Sequence, residues 1–155
     1  MARSSETTHK IMSSIKSSGT RPELELRKAL WHSGFRYRVN YKHLKGKPDI
    51  VFTKVKIAVF CDGDFWHGHN WALRGFESLD EELSSYSDFW KKKITDNIIR
   101  DNATNKELLE SGWLVIRIWE SSINTDTSGC VKIVGDFYQM RKKDSSGVFT
   151  QIIRV

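Results

Sequence analysis

The stretch PDIVFTKVKIAVFCDG, residues 48–63, limits the fold more than any other part of the chain. It holds two short apolar runs, 49–52 and 56–61, separated by a tight turn near residues 53–55, and this pattern reads as two strands of a hairpin. Both runs are continuously apolar rather than alternating, which predicts burial on two faces. A sheet buried on both faces needs further elements above and below it.

The remaining sequence supplies them. TRPELELRKALWHSG predicts a helix with Thr20 as cap, Glu23 three residues later as in a capping box, and Gly34 as stop. Leu24, Leu26, Ala29, Leu30 and Trp31 give it an apolar face. FRYRVN alternates large and basic side chains, as a half-exposed strand does. Residues 71–87 show no clear period and are expected to form a long surface loop. A long helix is expected over 87–111, with Trp90, Ile94, Ile98, Leu108 and Leu109 inward and Gly112 as its stop. WLVIRIWE reads as a third buried strand. A helix near 131–141 and a short strand within 148–155 complete a mixed α/β or α+β sandwich. Residues 1–19, Ser/Thr-rich and basic, read as an arm that orders on binding; residues 20–155 read as one domain.

Charge is distributed unevenly. The 155 residues carry 25 Lys+Arg against 19 Asp+Glu, a net +6. Residues 1–47 hold eleven bases and three acids, whereas 76–88 hold five acids and no base. This suits a protein with one nucleic-acid face, and Lys10, Lys16 and Arg21 are candidate phosphate contacts. Two cysteines, Cys61 and Cys130, form no disulfide framework, so a reducing cytoplasm (bacterial or similar) is expected. No apolar stretch approaches 18 residues, so no membrane span is expected.

VFCDGDFWHGHNW, residues 59–71, crowds acids, imidazoles and large rings together. If the hairpin turn centres near residue 55, Asp49 lies roughly opposite Cys61, with Asp62 one step further. Asp49, the Cys61 carbonyl and Asp62 then converge at one end of the sheet. Hard oxygen ligands beside a basic surface suit Mg²⁺ that also contacts a phosphate; two solvated aspartates at a turn are the alternative. Asp101 continues the inward line Trp90, Ile94, Ile98, so it should meet a base, a hydroxyl or a metal-bound water. Glu23 is explained equally by the capping box; for His67 a satisfied core histidine is the alternative, and its place beside Asp49 and Asp62 favours the catalytic reading.

The segments GTRPELELRKAL, GFRYRV, KGKPDIVF, IAVFCDGDFWHG and FWKKKITDNIIRD…LLESGWLVIRIWE, in this order over roughly residues 10–121, resemble the very short patch repair endonucleases. These are DNA mismatch nicking enzymes of the PD-(D/E)xK superfamily. The resemblance implies an α/β fold with a restriction-endonuclease-like core, a central mixed β-sheet flanked by helices. It implies one or two Mg²⁺ ions, held by Asp49 and the Cys61 backbone carbonyl. It makes His67 the general base or water-positioning group, and Glu23 and Asp101 auxiliary acids. Asp62 stands where the best-known member has another histidine. Phe65, Trp66 and Trp90 would wedge into the base stack beside a mismatch, which unstacks at lower cost than a paired step.

That member also has a structural zinc bound by three Cys and one His. The matching positions here are Asp64, His69, Trp71 and Ser121, which cannot assemble four tetrahedral N/S ligands, so no structural zinc is expected. His69 is expected to bond locally to Asp64, and packing around Trp71 to take over the zinc's role. The reading is a monomeric Mg²⁺-dependent endonuclease that nicks double-stranded DNA at or near a mismatch, leaving 5′-phosphate and 3′-hydroxyl ends. Two rivals stand beside it: a site-specific restriction-like or mobile-element endonuclease acting on paired DNA, and a non-catalytic DNA-binding protein of the same fold.

Overall fold

A computed structural model describes residues 18–144 and 150–155. The expected arm therefore lies almost wholly outside the described residues, and with it Lys10 and Lys16. In chain order the elements are α1 (Arg21–His32), β1 (Arg38–Val39), β2 (Ile50–Phe52), β3 (Ile57–Asp62), α2 (Asn70–Leu73), α3 (Leu79–Ser84) and α4 (Asp88–Glu110). Then come β4 (Leu114–Trp119), α5 (Glu120–Thr125), α6 (Thr127–Lys143) and β5 (Ile152–Arg154).

The five strands form one mixed sheet in the order β1-β2-β3-β4-β5. β1, β2 and β3 pair antiparallel, while β3, β4 and β5 pair parallel. The 23-residue α4 is the crossover between β3 and β4, the kind of connection that parallel neighbours require.

Strand periodicity divides the core in two. Ile50, Phe52, Ile57, Val59, Leu114, Ile116 and Ile118 pack against Leu26 and Leu30 of α1, Ile123 of α5, and Cys130 and Val134 of α6. On the opposite face Val51, Ala58, Phe60 and Val115 meet Leu108 of α4 and Trp113. Both faces of the central strands are thus covered, as the unbroken apolar runs require. The same alternation puts Asp49, Asp62 and Arg117 on the α4 side of the sheet and the Cys61 side chain on the other.

Several boundaries differ from expectation, each for a local reason. The hairpin turn takes residues 53–56, with Lys56 in left-handed backbone at φ 54°, so β3 begins one residue later than its apolar run suggests. Pairing Phe52 with Ile57 then puts Asp49 opposite Phe60 rather than Cys61. Residues 71–87 are not a loop: α2 and α3 occupy much of the segment. Ser78 Oγ accepts from Glu81 N at 3.1 Å while the Glu81 carboxylate accepts from Glu77 N, a capping arrangement that the S-x-x-E spacing advertises. α5 follows β4 directly where no helix was expected. α6 begins at Thr127, capped by Asp126 accepting from Gly129 N at 2.9 Å.

At α1 the reciprocal cap is shifted. Thr20 makes no side-chain cap bond, and the Glu23 carboxylate accepts from Gly19 N at 2.7 Å. Leu24 and Trp31, expected on the apolar face, are exposed, leaving Leu26 and Leu30 as the buried pair. Among the described residues, no helix is long and apolar enough to cross a membrane.

Candidate active site

Most of the expected site residues line one cavity of about 540 Å³ where the ends of β2 and β3 meet α1 and α4. Glu23, Asp49, Cys61, Asp62, Trp66, His67 and Asp101 all contribute to its wall.

Asp49 sits just before β2, and its Oδ2 accepts a hydrogen bond from Cys61 N at 2.7 Å. In an antiparallel pair a residue turns its N–H and its C=O toward the same neighbour. The Cys61 carbonyl therefore faces the same edge as Asp49, despite the one-residue difference in register. Burial is the largest influence on Asp49. The Cys61 N–H opposes it, but Glu23 and Asp62 add repulsion that Arg27 does not cancel, and the carboxyl is pushed up from 3.8 to about 7.

Asp62, one residue beyond Cys61, faces the opposite situation. It is 2% exposed, and both its oxygens accept from Arg117 Nη1 at 3.0 Å while Oδ2 also accepts from Arg154 Nη1 at 2.7 Å. Burial raises its pKa, but Arg117, His67 and Arg154 together outweigh that and hold it below the ordinary value.

His67 is held by the loop that follows β3. His67 N donates to Gly63 O at 3.1 Å and His69 N to Asp64 O at 2.8 Å, which knits the loop into turns. Gly68 adopts φ 79°, and a Cβ there would come within 2.7 Å of Ile98 Cδ1, so only glycine lets the loop lie this close to α4. His67 Nδ1 bonds Asp101 Oδ2 at 2.5 Å and stands 3.9 Å from Asp62 Oδ1. Burial works against charge on the ring; the Asp101 hydrogen bond and the Asp62 and Asp101 charges outweigh it, so the His67 pKa is raised. Asp101, as its position on the inward stripe of α4 predicts, meets a base.

Glu23 is buried at 1% exposure. One oxygen takes the Gly19 N–H, and the other is paired with the guanidinium of Arg27 one helical turn on. Arg21 is a surface residue in an i,i+4 pair with Glu25 at 3.1 Å.

Phe65, Trp66 and Trp90 form one edge-packed aromatic group. Ring centroids are 4.9 Å apart for Phe65–Trp66, 5.6 Å for Phe65–Trp90 and 5.5 Å for Trp66–Trp90, and Phe89, half exposed, extends it. None of the three rings is fully buried.

At three of the four positions matched to zinc ligands, the side chains bond one another. Asp64 Oδ1 contacts His69 Nδ1 at 2.7 Å and Ser121 Oγ at 2.6 Å, and Asp64 Oδ2 accepts from Ser121 N at 3.1 Å. His69 stacks on Trp119 with centroids 4.2 Å apart. A carboxylate clasp fastens the loop to the start of α5, and Trp71 lies in α2.

The residue that sequence reasoning missed is Arg117. It is 2% exposed in β4, reaches Asp62, lies 3.5 Å from Asp101 Oδ1, bonds Asn105 Oδ1 at 2.7 Å and stacks on Phe60. An arginine inside the apolar WLVIRIWE was the available signal, because a guanidinium at the centre of a buried strand requires carboxylate partners. Arg154, on β5, gave no comparable sign.

Three donors, from Asp62, His67 and Asp101, lie within 4.8 Å of one another, close enough to surround a cation. Two guanidinium groups already neutralise Asp62, however, and would repel a cation there. Asp49 has no such neutralisation, and with the Cys61 carbonyl it presents the hard oxygen pair that a divalent ion prefers.

Residues 3–73 match the family described as DNA mismatch endonuclease Vsr. A type II nicking enzyme of Neisseria meningitidis serogroup C, V.NmeDIP, is 43% identical over 129 residues, covering 83% of this chain and 84% of that protein. The chain belongs to the Vsr endonuclease family. Other Vsr-type relatives include the nicking enzyme V.HpaIIP of Haemophilus parainfluenzae, 43% identical over 110 residues, 71% of this chain and 74% of that one. The DNA mismatch endonuclease Vsr of Escherichia coli is 32% identical over 117 residues, 76% of this chain and 71% of its own. The chain is thus a DNA endonuclease of the strand-nicking Vsr type, with the α/β fold of a five-stranded mixed sheet flanked by helices.

Proposed function

We propose that this Vsr-type endonuclease hydrolyses one phosphodiester bond of duplex DNA at or beside a mismatch, as a monomer, leaving 5′-phosphate and 3′-hydroxyl ends. The observation that carries the reading is His67, braced by Asp101 and Asp62 in the cavity that also holds Asp49.

Asp49 and the Cys61 carbonyl are the groups to hold Mg²⁺, one ion or two, which when bound polarises the scissile phosphate and offsets its developing negative charge. The raised Asp49 carboxyl supports this assignment, since a cation would supply the positive charge that Arg27 alone does not provide. Asp101 fixes the tautomer of His67 with hydrogen on Nδ1, leaving the Nε2 lone pair to take a proton from water. The water oxygen bonds phosphorus, the P–O3′ bond breaks, and the 3′ oxygen leaves to be protonated. Asp62, kept ionised by Arg117 and Arg154, supports the imidazolium that forms. The Phe65, Trp66 and Trp90 group is the wedge: partly exposed rings packed together are able to enter an unstacked step. Lys10, Lys16 and Arg21 would hold phosphates, with affinity falling steeply in salt.

The test is to incubate the protein with Mg²⁺ and labelled duplexes, fully paired or carrying each mismatch, beside Asp49→Ala. Nicking of one mismatch class, lost in the variant, is expected. Cutting of paired DNA at a defined sequence would replace the mismatch reading, and binding without cutting would end the catalytic one.

A further inference from the structure

Glu82 is a buried acid that the reaction derived above leaves unused. It lies in α3 at 1% exposure, within the segment 76–88 that holds five acids and no base. Its Oε2 accepts from the Tyr86 hydroxyl at 2.5 Å, and its Oε1 has no hydrogen-bond partner among the described residues. A carboxylate taken out of water needs donors, so its burial here depends on that hydroxyl. The Tyr86 oxygen in turn accepts from Arg74 Nη1 at 3.2 Å, which fixes the hydroxyl from both sides. Burial, with the Glu82 bond and charge, holds the phenol above its ordinary pKa against the opposing Arg74, so it keeps the proton that it donates.

What this anchorage holds is a ring. Tyr86 meets Phe65 edge-on, with centroids 5.8 Å apart and planes at 62°, beside the contacts of Phe65 with Trp66 and Trp90. Trp66 is tied to α4 by its carbonyl, which accepts from Asn97 Nδ2 at 3.0 Å. Phe65 has no polar side-chain atom, so the rings around it set its attitude. The start of α3 is itself docked on the loop that carries Phe65, since a Cβ on Gly68 would stand 3.5 Å from Leu79 Cδ1. Edge contacts between rings are directional, and a side chain is placed most accurately when hydrogen bonds lock its neighbours.

Placement matters because insertion into a base stack yields little if the ring must first be ordered, a cost that binding then carries. A mispaired step opens more cheaply than a paired one, so only a ring already in place converts that difference into selection. We propose that Tyr86, anchored by Glu82 and Arg74, is a positioning residue that holds Phe65 in the attitude in which it enters the stack. It thereby sets how strongly mismatched DNA is preferred over paired DNA. The inference rests on the wedge reading above and assigns a role in it to the segment between α3 and α4.

Glu82→Leu is the decisive variant, because it removes the anchor and the charge together and strands no buried carboxylate, while the half-buried Tyr86 hydroxyl turns to water. Arg74→Met, at an exposed position, loosens Tyr86 from the other side without touching the core. The measurements are the ratio of nicking rates on mismatched and paired duplex, from which contacts common to both cancel, and the thermal midpoint. A stacking-quenched fluorescent base beside the mismatch reports unstacking in saturated complexes without Mg²⁺. Glu82→Leu should lower the ratio about fivefold, the weight of one hydrogen bond, and weaken the fluorescence rise, with paired-duplex affinity and midpoint kept. Arg74→Met should lower the ratio in the same direction. An unaltered ratio in Glu82→Leu overturns the proposal; should that variant lose its midpoint, an unaltered ratio in Arg74→Met does so. Equal slowing on both duplexes also overturns it, since the anchor would then be structural. No fluorescence rise with the unsubstituted protein would overturn the wedge reading itself, and this inference with it.

Discussion

Asp49→Asn should stabilise the metal-free protein while abolishing nicking. The native state raises the Asp49 pKa from 3.8 to about 7, so above neutral pH folding forces a charge into a place that resists it. Native protein binds a proton here more tightly than unfolded chain does. The cost is therefore absent below the ordinary carboxylate range, grows as pH rises, and is complete above about pH 7. A rise from 3.8 to about 7 corresponds to about 4 kcal/mol; water entering the cavity reduces this, leaving about 2–4 kcal/mol. Asparagine is nearly isosteric and its oxygen still accepts from Cys61 N. Urea unfolding in EDTA, followed by tryptophan fluorescence, should show the variant more stable than wild type by that amount at about pH 8, with the gap shrinking below about 1 kcal/mol near pH 4. Adding Mg²⁺ at about pH 8 should raise wild-type stability and leave the variant unmoved, because only a ligand that binds the native site contributes. Equal stability at about pH 8, or a gap that persists in acid, would refute the account of Asp49.

Other substitutions separate the remaining roles. His67→Ala should lower the nicking rate roughly 10²–10⁴-fold with duplex binding kept. The pH–rate profile should rise with pH through the raised His67 pKa, and Asp101→Asn, which removes a cause of that rise, should move the acid limb to lower pH; an unmoved limb would detach Asp101 from His67. Arg117→Met should cost about 3–5 kcal/mol in urea unfolding, because it strips a buried carboxylate of its main partner; a cost under about 1 kcal/mol would mean that Arg154 alone suffices. Phe65→Ala and Trp66→Ala should reduce the ratio of mismatched to paired cutting more than the thermal midpoint; an unaltered ratio would return these rings to ordinary packing.

Much of this was legible in the sequence where a residue's own chemistry forces a partner. Unbroken apolar runs at 50–52 and 57–60 required a sheet covered on both faces. Asp101, placed inward by its helical position, required a base and has one in His67. What was not legible depended on geometry between distant segments. The register of the hairpin hung on whether Lys56 belonged to turn or strand, a matter of one left-handed residue. Arg154 reaches Asp62 across 92 positions of chain through a three-residue strand, and no local pattern announces that. The clasp of Asp64, His69 and Ser121 was half visible: the two neighbours were expected to bond, while the serine enters only because α5 begins where β4 ends.

The division of labour between two neighbouring acids follows from the same placement. Asp49 and Asp62 lie on the same face of the sheet, at the ends of adjacent strands, yet their pKa values are driven apart. Asp62 meets two guanidiniums and the His67 ring, so it stays ionised and supports a developing imidazolium without being free for a cation. Asp49 meets burial and other carboxylates, so its ionised form is costly until a cation arrives. Two titratable groups pushed in opposite directions by their surroundings mark distinct roles. One is a permanent support for the base, and the other a site whose charge is stabilised by what it binds. Exchanging their surroundings, by moving an arginine from the Asp62 side to the Asp49 side, should therefore remove nicking even with every acid and His67 retained.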